Sequence, residues 1–338
     1  MTYPTGSRNA LNRLLINKAR EMGIGCRLLL AGCEDFLELS YQGRSIVINK
    51  TRSHRLSLIA GLLAKNKEAT NLLLSQRGLP VPPYMVVSET GAEAVRFLQT
   101  HLSVAVKPLD ASGSAGVTLD VRTVPQLETA IQRAGSYGGK VMLQRFVPGA
   151  DYRVLVINYR IAAVTEYRPA FVTGDGASSL RELIRRLNET RIRQSEIGEI
   201  EAFAEIKTDS KRLLAALDQQ GVALDDIVPA GCLVKLQDIR NAPAGEISEI
   251  YADRTDLICP ANAAMAVEAA KALQIDVAGI DIRCPDIAVP VTEASGGILE
   301  VNALPDMIHH VVPYEGVSRD VIRIYLEYLF EEALTWNR

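Results

Sequence analysis

Asp281, Glu300 and Asn302 are three hard oxygen donors set in two apolar stretches, 277–283 and 297–302. If those stretches are neighbouring strands, Glu300 and Asn302, two apart, face the same side as Asp281, and three oxygens converge on one point. Magnesium takes one or two carboxylates and leaves its other positions to water and phosphate oxygens, so this sparse set suits a nucleotide-phosphate site that uses ATP. The plainer alternative is a pair of strand ends bearing surface acids. It loses weight because Asp281 lies between Ile280 and Ile282, and Glu300 between Leu299 and Val301, where a carboxylate needs a partner.

A cation stands upstream. Lys107 ends the apolar run 104–107, and the turn that follows is rich in small residues. Its Ser112, Gly113, Ser114 and Gly116 let backbone N–H groups approach anionic oxygens while the lysine supplies a point charge. Alone, this reads as a hairpin turn with an exposed lysine, and no Walker P-loop or dinucleotide fingerprint occurs in the chain. Residues 141–153 form an apolar strand that passes a short hinge into a second strand. The hinge backbone at 145–147 could pair with an adenine, Phe146 could line its pocket, and Asp151 could accept from ribose hydroxyls; an ordinary connection between lobes reads the same way. Arg153 and Arg168 carry guanidinium forks matched to phosphate or carboxylate oxygens, although a solvent-exposed arginine is the default for either alone. His309-His310 near Asp306 suggests a transition-metal site only weakly, since adjacent histidines on an extended chain point to opposite sides. One of the pair lining a substrate pocket fits better, and a purely structural role fits as well.

The elements that must position these groups follow from periodicity. A helix is expected over 9–22, then short strands at 27–30, 36–39 and 45–48, a small opening unit. A helix over 67–76 stops at Gly78, and Pro80, Pro82 and Pro83 stiffen the lead into a strand at 84–87, with a boundary near 66. Strands at 104–107, 117–121 and 141–144 and a helix over 125–133 make a lobe that ends at Pro148-Gly149. Beyond it, 152–157 and 160–167 predict a hairpin turning at Asn158 and Tyr159. Ser179 and Glu182 predict a capping box on a charged helical stretch running to about 219, followed by a helix over 262–273, strands at 277–283 and 298–301, and a closing helix over 318–336.

The chain has 338 residues, 48% of them hydrophobic, enough for two or three domains around a sizeable core. A formal charge of −3 argues against a nucleic-acid partner. No apolar run approaches a membrane span and no secretory leader is legible, so a cytoplasmic protein with no membrane partner is expected. The 5 cysteines are scattered without a Cys-x-x-Cys pair and read as reduced thiols.

The order of lysine, small-residue loop, hinge, then Asp and Glu-x-Asn resembles the ATP-grasp superfamily of carboxylate–amine ligases. Arg168-Pro-Ala170, Gly174-Asp-Gly-Ala-Ser-Ser-Leu-Arg-Glu-Leu183, Pro229-Ala-Gly231, Arg240-Asn-Ala242 and Glu300-Val-Asn-Ala303 look like the ATP-grasp module of cyanophycin synthetases. Leu37 to Leu39, Lys65-Asn-Lys67 with Thr70, Gly78-Leu-Pro-Val-Pro82, and His310 ahead of Pro313-Tyr-Glu-Gly316 look closer to bifunctional glutathione synthetases. The resemblance implies an α+β ATP-grasp fold: two α+β lobes clasping ATP, preceded by a small α/β N-terminal domain. It implies an N-terminal domain at 1–66, a small lobe with the lysines and loop at 67–147, and a C-terminal lobe with the metal ligands at 148–338.

By the same resemblance, Lys67 and Lys107 approach the ATP phosphates and the 112–116 loop closes over them. Gln144, Arg145, Phe146 and Val147 hold adenine, Asp151 the ribose, and Asp281, Glu300 and Asn302 the magnesium, expected as two ions. Arg153 and Arg168 stand near the phosphates and the reacting carboxylate, and Arg168, Asp306 and His310 border the substrate. Three positions depart from the pattern: Gln144 stands where relatives usually have Glu, and Asp306 and Ile308 where cyanophycin synthetases have Gly and Arg. The implied activity is an ATP-dependent ligase that forms an amide or peptide bond through an acyl phosphate. Its partners would be small amino-acid or peptide substrates, and a homodimer is a further expectation. A phosphotransferase on the same scaffold and a non-catalytic nucleotide-binding subunit are the alternatives.

Overall fold

The computed structural model describes residues 9–109, 115–197, 205–237 and 249–331. The chain opens with α1 (Ala10–Glu21), whose Asn9 side chain accepts from the Asn12 N–H and whose Leu11, Leu15, Ile16 and Ala19 form one buried stripe. Strands β1 (Gly25–Leu30), β2 (Cys33–Tyr41) and β3 (Arg44–Ile48) follow as an antiparallel meander. Then come α2 (Leu58–Lys65) and α3 (Lys67–Gln76).

The small lobe is a four-stranded antiparallel sheet in the order β4-β7-β5-β6, built from β4 (Tyr84–Val87), β5 (Val104–Pro108), β6 (Thr118–Val121) and β7 (Val141–Arg145). It is backed by α4 (Ala92–His101) and α5 (Val124–Gly135) through Leu98, Leu127, Ile131 and Ala134. Thr123 and Gln126 close a reciprocal capping box on α5.

The large lobe begins with the predicted hairpin, β8 (Ala150–Ile157) and β9 (Arg160–Pro169), and both turn residues, Asn158 and Tyr159, have positive φ, as a two-residue turn of this hand requires. After them come β10 (Phe171–Thr173), α6 (Leu180–Ile197), α7 (Lys211–Asp218), β11 (Leu233–Lys235), β12 (Glu249–Asp253), α8 (Pro260–Ala272), β13 (Val277–Cys284), β14 (Gly297–Asn302), α9 (Ile308–Val311) and α10 (Val321–Leu329). The main sheet runs β12-β9-β8-β13-β14, and β10 and β11 pair separately.

Several expectations need correction. The charged stretch is not one helix to 219: residues 205–210 are non-helical and α7 starts afresh. Only half of the Ser179 box forms, because the Glu182 N–H reaches Ser179 Oγ at 3.4 Å while the Glu182 carboxylate turns forward to Arg185 and Arg186. The closing helix starts at Val321, and 332–336 fall outside the described residues. The opening unit, expected as α/β, is an antiparallel meander with a helix. Helix α3, placed by the sequence at the head of the small lobe, buries Leu74 in the core of the large one, among Val81, Tyr152 and Ile298.

Alternation along the main sheet explains where the site falls. Tyr152, Val154 and Val156 of β8 and Ala278, Ile280 and Ile282 of β13 enter a core with α8, α2 and α3. Leu155, Ile157 and Val277 face the other way and join α1, β1–β3 and α10 in a second core. That second face carries Asp151, Arg153, Asp281 and Arg283 further along the same strands. One face is thus apolar where the N-terminal unit covers it and charged where it opens toward the small lobe.

All 5 cysteines are free thiols. Among the described residues no helix is long and apolar enough to cross a membrane. Phe330, fully buried and edge-on to Tyr41 at 5.7 Å, ties the meander to the main sheet. Phe330→Ala should cost about 3–5 kcal/mol. Its unfolding curve should shift as one transition; a separate early melt of the N-terminal unit would show that the two do not share a core.

Candidate functional site

Between the lobes lies a cleft of about 490 Å³. Lys67, Lys107, Gln144, Arg145, Phe146, Val147, Asp151, Arg153, Asp281 and Glu300 line it together. These residues come from the head of α3, two strands of the small sheet, the hinge and three strands of the large sheet.

On the large-lobe wall, β13 pairs with both neighbours so that Asp281 stands opposite Glu300 on β14 and opposite Arg153 on β8. Arg153 grips Asp281 bidentately, through Nε to Oδ1 and through Nη2 to Oδ2 at 2.9 Å. Asn302 donates to the same Oδ2 at 3.1 Å. Gly279, two residues before Asp281, leaves the room this needs: a Cβ there would come within 2.8 Å of the Arg153 side chain. The Glu300 carboxyl is pushed above its usual range, first by burial and then by the neighbouring Asp281 charge, with Lys67, Lys107 and Arg153 pulling the other way.

That imbalance bears on a metal. Among the described residues no three His, Cys, Asp or Glu side chains gather tightly enough to hold an ion alone. Two carboxylates and an amide, one carboxyl short of positive charge, fit a magnesium ion completed by phosphate oxygens.

On the small-lobe wall, Lys107 Nζ donates to Gln144 Oε1 at 2.8 Å, and Lys67, from the head of α3, extends its Nζ to that lobe's Leu109 carbonyl at 3.3 Å. Withdrawal from solvent pushes Lys107 down to about 8, opposed by Glu300 and reinforced by Lys67. Gln144 matters here. A neutral amide satisfies one Lys107 proton without neutralising its charge, and Gln144 Nε2 is buried with no partner among the described residues. Of the loop, Gly116 is seen at φ +70, packed so closely that a Cβ would strike Tyr137 and Pro108, while Ser112, Gly113 and Ser114 lie outside the described residues.

The hinge is partly committed. The Arg145 N–H goes to the Pro83 carbonyl at 2.8 Å and the Phe146 N–H to that of Ser103 at 3.0 Å. Val147 lines the cleft beside Phe146, and Pro148 after it has no N–H to offer. Asp151 is held by Arg283 Nη2 at 2.6 Å, and that guanidinium lies 5.4 Å from the Phe146 ring. The sequence reading missed Arg283. Its signal was the alternation Asp281-x-Arg283, which sets both on one face.

Two expected residues stand elsewhere. Arg168 does not line this cleft: it is bonded to Glu166 at 2.7 and 2.8 Å and to Glu315 at 3.0 Å, beside an adjoining cavity that shares Asp151, Tyr167 and Arg283 with the cleft. Arg254 closes the ring by bonding the same two glutamates. His310 is buried against Thr165 Oγ1 at 2.7 Å, and it is His309 that reaches the cleft wall, with Tyr167, Tyr251 and Asp306. The histidines sit on the helical turn α9, not on extended chain, so both turn inward. The tyrosines, 84 residues apart, gave no local signal.

A bifunctional glutathione synthetase from Pasteurella multocida superposes on 96% of this chain, and on 44% of its own, with TM-score 0.71 at 24% identity, and residues 73–229 match the family described as D-ala D-ala ligase C-terminus. The chain has the ATP-grasp fold. Cyanophycin synthetase of Geminocystis herdmanii is 34% identical to it over 308 residues, 90% of this chain and 34% of that protein. The glutathione biosynthesis bifunctional protein of Listeria innocua is 27% identical over 284 residues, 83% of this chain and 36% of that protein. The ATP-grasp chain therefore spans about a third of the length of these relatives.

Burial pushes Lys107 down to about 8, and the negative charge of a bound polyphosphate should raise its affinity for the proton. ATP should bind with proton uptake above pH 8 and with little below it, and its affinity should fall as pH rises through that value. In Gln144→Glu a carboxylate would hold the proton, and the bend should move to higher pH. Calorimetry in buffers of different ionisation enthalpy reads this directly; a flat profile through pH 8 in the unaltered protein would overturn the pairing of a Lys107 pushed down to about 8 with the phosphates.

Proposed function

We propose that this ATP-grasp chain is an ATP-dependent carboxylate–amine ligase, forming an amide or peptide bond between amino-acid-like substrates and releasing ADP and phosphate. The observation that carries the reading is the meeting of two lysines, Lys67 and Lys107, with Arg153, Asp281 and Glu300 in one cleft, Asn302 being bonded to Asp281. Cations for the phosphates and oxygens for magnesium meet where a hinge with Phe146 and Asp151 can seat a nucleoside. The names of the relatives, both synthetic enzymes, support the same direction.

In the first step a carboxylate oxygen of the acid attacks the γ-phosphorus, the bond to ADP breaks, and an acyl phosphate forms. In the second, the amine nitrogen attacks the acyl carbon, a C–N bond forms, the C–O bond to phosphate breaks, and phosphate departs. Phosphoryl transfer depends on positioning and charge neutralisation more than on a protein nucleophile, and the cleft is made accordingly of lysines, arginines and oxygen donors. Magnesium held by Asp281, Glu300 and Asn302 would neutralise charge on the phosphate oxygens. Arg153 has two of its nitrogens engaged with Asp281, which fixes its guanidinium plane toward the reacting groups.

Lys107→Ala and Glu300→Gln should each lower acid-dependent ADP release by about 10²- to 10³-fold while the melting curve is kept. Amino acids and short peptides offered pairwise, with mass detection of the product, identify the substrates. Near wild-type turnover in either variant would sink the site assignment, and a stable phosphorylated acid that no amine consumes would indicate a phosphotransferase instead.

A further inference from the structure

An amide-forming reaction needs a second, amine-receiving place in the cleft. The wall made by β9, β12 and α9 has the chemistry for it. Among the cleft carboxylates, Asp151 is bonded to Arg283, Asp281 to Arg153, and Glu300 lies in the field of Lys67 and Lys107. Asp306 differs. Its one charged-type neighbour within 4.0 Å, among the described residues, is His309 Nδ1 at that distance, and its side chain is 53% exposed.

Its orientation is nonetheless fixed. Asp306 Oδ1 accepts the Ile308 N–H at 2.8 Å, capping the turn α9, which leaves Oδ2 beside His309. His309 in turn is held by Tyr167 Oη at 2.8 Å from Nε2, and its ring packs 5.2 Å from both Tyr167 and Tyr251. Burial and the nearby Arg153 keep this imidazole neutral, well below its usual range. A neutral ring cannot balance the Asp306 charge, and the 4.0 Å gap is too long for a direct hydrogen bond. Arg153 acts on Asp306 only through its field, so the pair is an oriented carboxylate with no bonded cation among the described residues, beside an aromatic wall, which is what a primary ammonium requires.

We propose that Asp306, positioned by its cap and walled by His309 and Tyr251, receives the amine substrate as an ammonium and takes the proton that frees its lone pair. The inference rests on the ligase reading above. The ammonium N–H bond breaks and its proton moves to Asp306 Oδ2; the nitrogen then attacks the acyl carbon and sheds its second proton with the departing phosphate. Asp306 is the catalytic residue in this step, and His309 a positioning one.

Hydroxylamine separates the two halves of the reaction, because it is uncharged at neutral pH and needs no such proton acceptor. The wild-type protein and Asp306→Asn are compared with hydroxylamine and with amino-acid amines as nucleophiles, each proteinogenic amino acid being offered as the acid. Asparagine keeps an oxygen to cap Ile308, so the turn survives. Asp306→Asn should form hydroxamate within about 3-fold of wild type yet lose at least about 100-fold in kcat/KM for the amine, with KM for ATP unchanged, and Asp306→Glu should recover part of the loss. Equal losses for both nucleophiles, no loss for either, or a wild type that accepts hydroxylamine but no amino-acid amine would overturn the amine subsite. A wild type that makes neither hydroxamate nor ADP with any acid would instead overturn the ligase reading beneath it.

Discussion

The bidentate pair between Arg153 and Asp281 joins β8 to β13 inside the large sheet, where its covered half gives way to its open half. Carboxylates in such a place are tolerated only with partners, since an unpaired buried charge costs several kcal/mol. Arg153 supplies that partner, and Gly279 supplies the room for it. Everything on the large-lobe wall follows from this one contact. Asp281 is bonded to Arg153, Asn302 is drawn onto it, and Glu300, with no side-chain hydrogen bond among the described residues, becomes the group short of positive charge.

The opposite wall is its electrostatic counterpart. Lys107 is withdrawn from water and bonded to a neutral amide, so its positive charge, like the negative charge of Glu300, is only partly compensated within the lobe that carries it. Each lobe brings one poorly balanced sign to the cleft. A triphosphate with its cation supplies both missing signs, which explains why neither wall is built to satisfy itself.

Much of this was legible in the sequence wherever a local rule sufficed. The β8–β9 hairpin showed through Asn158 and Tyr159, α3 through Gly78 and the prolines, and the Asp281, Glu300 pairing through period-two spacing in apolar runs. What escaped depended on distant packing. Helix α2 is so evenly apolar that it has no periodic face, and β10 and β11 are only three residues each, too short to carry a pattern. Arg168 resembled a site residue by motif, but Glu166, on its own strand face, and Glu315 captured it. The exchange of His310 for His309 turned on a single helical turn that the sequence reading took as extended chain.

The two lobes are joined twice: by the proline-rich lead into β4 and by the hinge between β7 and β8. These strands of chain are fastened side by side, for the Arg145 N–H meets the Pro83 carbonyl, and the first is pinned to β14 where the Ile298 N–H meets the Pro80 carbonyl at 2.9 Å. Arg145 adds a second fastening through its guanidinium to the Glu293 and Ala294 carbonyls. A pair of adjacent tethers acts like the two knuckles of a door: it permits swinging about the line that joins them and resists twisting or sliding. Lys107 and Glu300, which line one cleft, are thus brought to it by two connections fastened side by side rather than by a single crossing of the chain.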